Sequence, residues 1–72
     1  MMVFYSRNRI EIAHEGAEMG LYLGRRRLGS VLKAPVPEVG KSLAIEYQFQ
    51  GKDGKWERGT LFTGKIQEVE EC

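Results

Sequence analysis

The sequence predicts an all-β fold, a small antiparallel barrel or curled sheet of five to six short strands, SH3-like or OB-like in architecture. Three observations predict it. Leu43, Ile45, Tyr47 and Phe49 fall at every second position of one stretch. An Asp-Gly pair follows that stretch and leads into another extended one. Glycines at 20, 24 and 29 interrupt the one region that could otherwise be written as a helix.

The elements follow in chain order. Phe4, Ile10 and Ile12 share one phase, with Arg9, Glu11 and Ala13 in the other, and the pattern stops at Glu15-Gly16. This reads as a strand from about Arg7 to His14, with an earlier start left open. Met19, Leu21 and Leu23 then alternate in β phase. Each interior glycine costs a helix roughly 1 kcal/mol relative to alanine, so a hairpin turning near Gly24-Arg25 fits the segment through Lys33 better than a helix does. Ala34-Pro35-Val36-Pro37-Glu38-Val39-Gly40 is a connection, because two prolines deny a central strand its backbone donors.

Lys41 to Gln50 is the clearest strand. A helix would scatter its four large apolar residues around the circumference, since successive residues turn through roughly 100° rather than 180°. Gly51-Lys52-Asp53-Gly54 supplies a tight turn. On the returning strand, Lys55 to Thr63, one face carries Trp56, Arg58, Thr60 and Phe62, and the other carries Glu57, Gly59, Leu61 and Thr63. Gly64 marks a bulge or bend before Lys65 to Val69. The acidic end, Glu68 to Cys72, is expected to fray.

With 72 residues the chain has room for one domain, residues 1–72, and its 42% apolar content is that of a folded protein. Small domains add disulfides, metals or partner subunits to a thin core. Cys72 is the only cysteine and His14 the only histidine. Neither an intrachain disulfide nor a zinc site can therefore be assembled, and no cofactor is implied. A homodimer is the remaining support. No run has the length or character of a secretion signal or membrane span, so the expected compartment is the cytoplasm.

Catalysis finds little footing. No nucleophile, base and orienting group converge in the sequence, and His14 closes an apolar-phased strand, where a structural role is the commoner one. Gly40-Lys41-Ser42 lacks the glycine that a phosphate-binding loop needs five residues earlier, and it opens a strand rather than a helix. The chain is read as non-enzymatic.

Two charge-bearing features remain. Net charge is +1, but residues 1–33 carry six Lys/Arg against three Glu, and residues 34–72 carry five against seven Asp/Glu. Arg25, Arg26 and Arg27 form the densest cluster, a compact positive hairpin tip suited to phosphate oxygens or an acidic surface; a charged tip can equally serve only to keep an edge unpaired. Trp56, with Lys52, Lys55 and Arg58 around it, is either a core or interface anchor or a ring on which bases stack. The candidate binding residues are therefore Arg25, Arg26, Arg27, Lys33, Lys52, Lys55, Trp56 and Arg58. Near-neutral charge favours a protein-interaction module, an accessory or inhibitor protein acting through an exposed sheet edge or basic hairpin. The alternative is a nucleic-acid-binding barrel using the Arg25–Arg27 cluster and the Lys52–Arg58 hairpin.

Overall fold

Alternation dictates the longest hairpin. In the computed structural model, which describes residues 1–71, β5 (Ser42–Gln50) and β6 (Trp56–Lys65) pair antiparallel, with Ile45 opposite Leu61 and Tyr47 opposite Gly59 on the core side. Tyr47 lies across Gly59, so that a Cβ added there would sit 2.6 Å from the tyrosine Cζ. The missing side chain leaves the ring its seat. The turn closes as the sequence predicts: Gly54 N–H donates to the Gly51 carbonyl at 3.0 Å, and Lys55 N–H donates to Asp53 Oδ1 at 3.0 Å.

Ahead of this hairpin lie β1 (Met2–Tyr5), β2 (Arg9–Glu15), β3 (Glu18–Leu23) and β4 (Arg26–Lys33), and behind it lies β7 (Glu68–Glu71). All seven strands form one antiparallel sheet in the order β6-β5-β4-β3-β2-β1-β7. The expectation of an all-β curled sheet is met, though the sheet is not closed into a barrel. Its two edge strands, β6 and β7, are separated in sequence only by Ile66 and Gln67, which draws opposite edges together. Gly40 and Ile66 are joined by a backbone bond of 2.8 Å, and Gln67 N–H donates to the Tyr5 carbonyl at 2.8 Å.

Two local readings change. The stretch read as one strand from Arg7 to His14 is preceded by a separate strand, β1, and a turn at 6–8. Phe4 and Ile10 are therefore cross-strand partners rather than neighbours along one strand. The terminal segment does not fray: β7 pairs with β1, placing Val69 opposite Phe4, and Phe4 is fully buried. A single apolar residue, Val69, serves to seat this four-residue strand because its partner is in the core. Cys72 lies outside the described residues.

The turn predicted near Gly24-Arg25 is present, with Gly24 at φ +62°, a conformation that L side chains rarely adopt. The bulge predicted at Gly64 is present too: Ala44 faces Phe62 but Ser42 faces Lys65, so β6 carries one extra residue there. The core is thin, built around Phe4, Ile10, Ile12, Leu21, Ile45 and Ile66. Such a core makes every strand edge matter to stability.

Candidate functional site

The register sorts the candidate residues onto two surfaces. On the outer side of the sheet Trp56 faces Gln50, Arg58 faces Gln48, Thr60 faces Glu46 and Phe62 faces Ala44, and β4 adds Ser30 beside Gln48 and Lys33 beside Glu46. Trp56 is 61% and Phe62 75% exposed. Trp56 therefore is no part of this chain's core. Its phase with Phe62, read from the sequence as compatible with burial, is the phase of the solvent-facing side. β6 is also an edge strand, paired with β5 alone, so its other side offers backbone donors and acceptors beside two large exposed rings.

The three arginines do not act together. Arg25 sits in the β3–β4 turn and Arg26 faces Leu23 across the hairpin, whereas Arg27 faces Tyr22 and is turned to the opposite side of the strand. There Arg27 donates from Nε and Nη2 to Glu15 Oε1 at 3.0 and 2.8 Å, and from Nη2 to Ser30 Oγ at 3.3 Å. Tyr22 donates its hydroxyl proton to the other Glu15 oxygen, and Ser30 donates to Glu18 at 3.1 Å. The Glu15 carboxylate lies over Gly20, where any Cβ would collide with it.

This cluster is self-satisfied. The Tyr22 hydroxyl, then the Arg27 guanidinium, hold the Glu15 carboxyl below the usual carboxylate range. The hydrogen bond to Glu15 pushes the Tyr22 phenol up, and it raises Arg27 as well. Arg27 is thus committed to an internal partner, and the expected three-arginine tip reduces to Arg25 and Arg26. Lys33 stands at the far end of β4 from that tip, beside Glu46.

Lys52 and Lys55 flank the β5–β6 turn, next to Trp56. The β1–β2, β3–β4 and β5–β6 turns all leave the same side of the strand ladder, as the antiparallel registers require. Arg25, Arg26, Lys52 and Lys55 are carried there, whereas the curl of the sheet sets Arg7 against the bulged end of β6, and among the described residues none of the five is in an ion pair. By contrast Arg9 is bound to Glu11 at 2.7 Å and Lys41 to Glu38 at 2.8 Å.

Two concavities complete the surface. One, of about 280 Å³, lies between the β2–β3 strands and the proline-bearing connection and is lined by Met1, Met2, Ile12, His14, Met19, residues 34–37 and Glu71. The other, of about 640 Å³, opens between the β1–β2 turn and the bulged end of β6. No group of three or more His, Cys, Asp or Glu that could hold a metal ion exists among the described residues, and no helix there is long and apolar enough to cross a membrane. Sequence reasoning missed Phe62 as a surface ring, although its phase with Arg58 and Thr60 was the available signal, and it missed the Glu15–Tyr22–Arg27 cluster, which needs the register to be seen.

Compared with known proteins, the chain matches no family model, no curated protein and no solved structure.

Proposed function

We propose that this chain is a protein-interaction module that docks a partner along β6. The observation that carries this reading is a ten-residue edge strand, paired with β5 on one side only, that presents Trp56, Arg58 and Phe62 on one face, two of them rings more than half exposed. Aromatic and Arg side chains are the residue types enriched at interface centres, while Lys and Glu are depleted there. An added strand supplies backbone hydrogen bonds for affinity, and pockets beside alternate side chains supply specificity. Around Arg58 the outer face is close to charge-balanced, with Lys33 facing Glu46 and Arg27 held by Glu15. Such a face suits a polypeptide better than a polyanion. A second copy of the chain could occupy the same edge, which would make the protein a homodimer.

The test is capture of binding proteins by the wild-type protein and by a Trp56→Ser/Phe62→Ser variant, followed by titration with each retained protein in purified form. Both side chains are exposed, so the variant keeps its fold. Loss of affinity by tenfold or more, the scale of an interface hot spot, supports the reading; equal affinity for both proteins removes it. Sedimentation equilibrium on the same pair separates self-association from a different partner.

A second reading, nucleic-acid binding, draws on the exposure of Trp56 between Lys55 and Arg58, an arrangement on which bases stack while cations follow the phosphates. Anisotropy titrations of labelled oligonucleotides decide it. Binding that weakens steeply with salt and disappears in an Arg25→Ala/Arg26→Ala variant favours this alternative.

A further inference from the structure

The concavity at the bulged end of β6 has a chemistry that neither docking nor the core explains. Its walls are Ser6, Arg7 and Asn8 from the β1–β2 turn, Phe62 to Lys65 from β6, and Gln67. No acidic side chain lines it, in a chain with 10 Asp/Glu. Arg7 and Lys65 approach it from opposite walls and take part in no ion pair among the described residues.

Its frame is fixed by the backbone. The Ser6 hydroxyl donates to the Thr63 carbonyl, the Thr63 hydroxyl donates to the Gly64 carbonyl at 2.7 Å, and Gln67 N–H donates to the Tyr5 carbonyl at 2.8 Å. The extra residue at Gly64 turns the strand so that Phe62 and Lys65 border the same hollow. The Phe62 ring, 75% exposed, offers an apolar face at the rim.

We infer that this groove binds a nucleotide, with the phosphate between Arg7 and Lys65, the base against Phe62, and the Asn8 and Gln67 amides available to base edges. Two cations without a competing carboxylate favour a phosphate. A ring beside them favours a ligand that also carries a planar base. Amides can both donate and accept, as base edges require. The nucleotide can be free or part of a single strand, since both present the same phosphate and base. This inference does not depend on the β6 docking surface, and because Phe62 belongs to both, the decisive variants are at Arg7 and Lys65.

The experiment is ¹⁵N-HSQC titration of the protein with AMP, adenosine, inorganic phosphate and a short single-stranded oligonucleotide. Saturable shifts from AMP at the amides of 6–8 and 64–67, with adenosine and phosphate each about tenfold weaker, are expected. Arg7→Ala and Lys65→Ala should each weaken AMP about tenfold while the spectrum stays dispersed, which shows that the fold is kept. Tighter binding of the oligonucleotide at the same amides identifies a strand as the source, and equal or weaker binding identifies the free nucleotide. Absence of saturable shifts up to roughly 10 mM AMP, shifts elsewhere, or variants that bind as wild type overturn the proposal. Phosphate binding as well as AMP does overturns the base-recognition half and with it the nucleotide assignment.

Discussion

Replacing Gly29 by alanine should be the most damaging single-methyl change in this protein, and the structure says by how much. Gly29 is buried in β4 where β5 crosses close to it. An added Cβ would overlap the Gln48 carbonyl oxygen, lie 3.0 Å from the Gln48 carbonyl carbon, and lie 3.1 Å from Tyr47 Cδ2. Two of those three atoms are backbone, so no rotamer change relieves the clash. β4 and β5 must separate, straining the Ser30–Gln48 and Val31–Tyr47 pairs.

Overpacking of this kind costs about 1–3 kcal/mol, and each weakened ladder hydrogen bond adds about 1 kcal/mol. A total near 3 kcal/mol is a large part of the roughly 4–11 kcal/mol available to a chain of this length at 0.05–0.15 kcal/mol per residue. Thermal denaturation followed by circular dichroism should then show Tm lowered by about 12–24 °C, taking about 4–8 °C per kcal/mol. Gly16→Ala is the control. Its Cβ would meet nothing within 4 Å, but its φ of +65° strains any L residue, so about 1–2 kcal/mol is expected. If Gly29→Ala melted within about 4 °C of wild type, or higher than Gly16→Ala, the close approach of β4 and β5 would be refuted.

Other expectations follow from the cluster and the edges. Because Glu15 is held below its ordinary value near 4.5, its contribution to stability is complete above that pH and is lost as the pH falls through the lowered value. The Tm of wild type should drop on acidification below about 4.5 more steeply than that of Glu15→Gln. Tyr22, raised above 10, keeps its contribution up to that pH and loses it as the pH rises through the raised value, so Tyr22→Phe should flatten the alkaline limb of the same curve. Val69→Asp should lower the urea midpoint by the equivalent of about 2 kcal/mol, since Val69 faces Phe4; a fraying tail would show no change. Arg27→Ala should lower Tm measurably, whereas Arg25→Ala and Arg26→Ala should each stay within about 0.5 kcal/mol of wild type.

Much of the fold was legible because period-2 patterning is local. Leu43 to Phe49 fixed β5 on its own, Asp53-Gly54 announced its turn, and Gly24 and Gly64 marked a hairpin and a bulge that the backbone adopts. What was not legible depends on partners. The alternation running from Phe4 to Ile12 is the same for one strand as for two strands folded back on each other, and only the Phe4–Ile10 pairing distinguishes them. Glu68 to Glu71 looks like a solvated tail until Phe4 is placed beside Val69. The same limit governed the site. Arg25, Arg26 and Arg27 are contiguous in sequence, but a strand sends successive side chains to opposite faces, and the neighbour of Arg27 is Glu15, twelve residues earlier. Trp56 was phased correctly with Phe62, yet phase alone does not say which side of a sheet meets water.

The pairing of β1 with β7 sets how this protein must fold as well as what it looks like. Met2 lies opposite Glu71, so the first strand in sequence completes its hydrogen bonding only with the last. Hairpin zipping can build β1 through β6 from near neighbours, but the sheet's final ladder has to close a loop of nearly the whole chain, at an entropic cost that grows with loop length. Refolding should therefore be slow for a domain of this size, in the millisecond-to-second range of non-local β topologies. Until that last ladder forms, the open edge opposite β6 is β1, whose Val3 and Phe4 belong in the core, and this is the interval in which chains at high concentration are most prone to pair with one another.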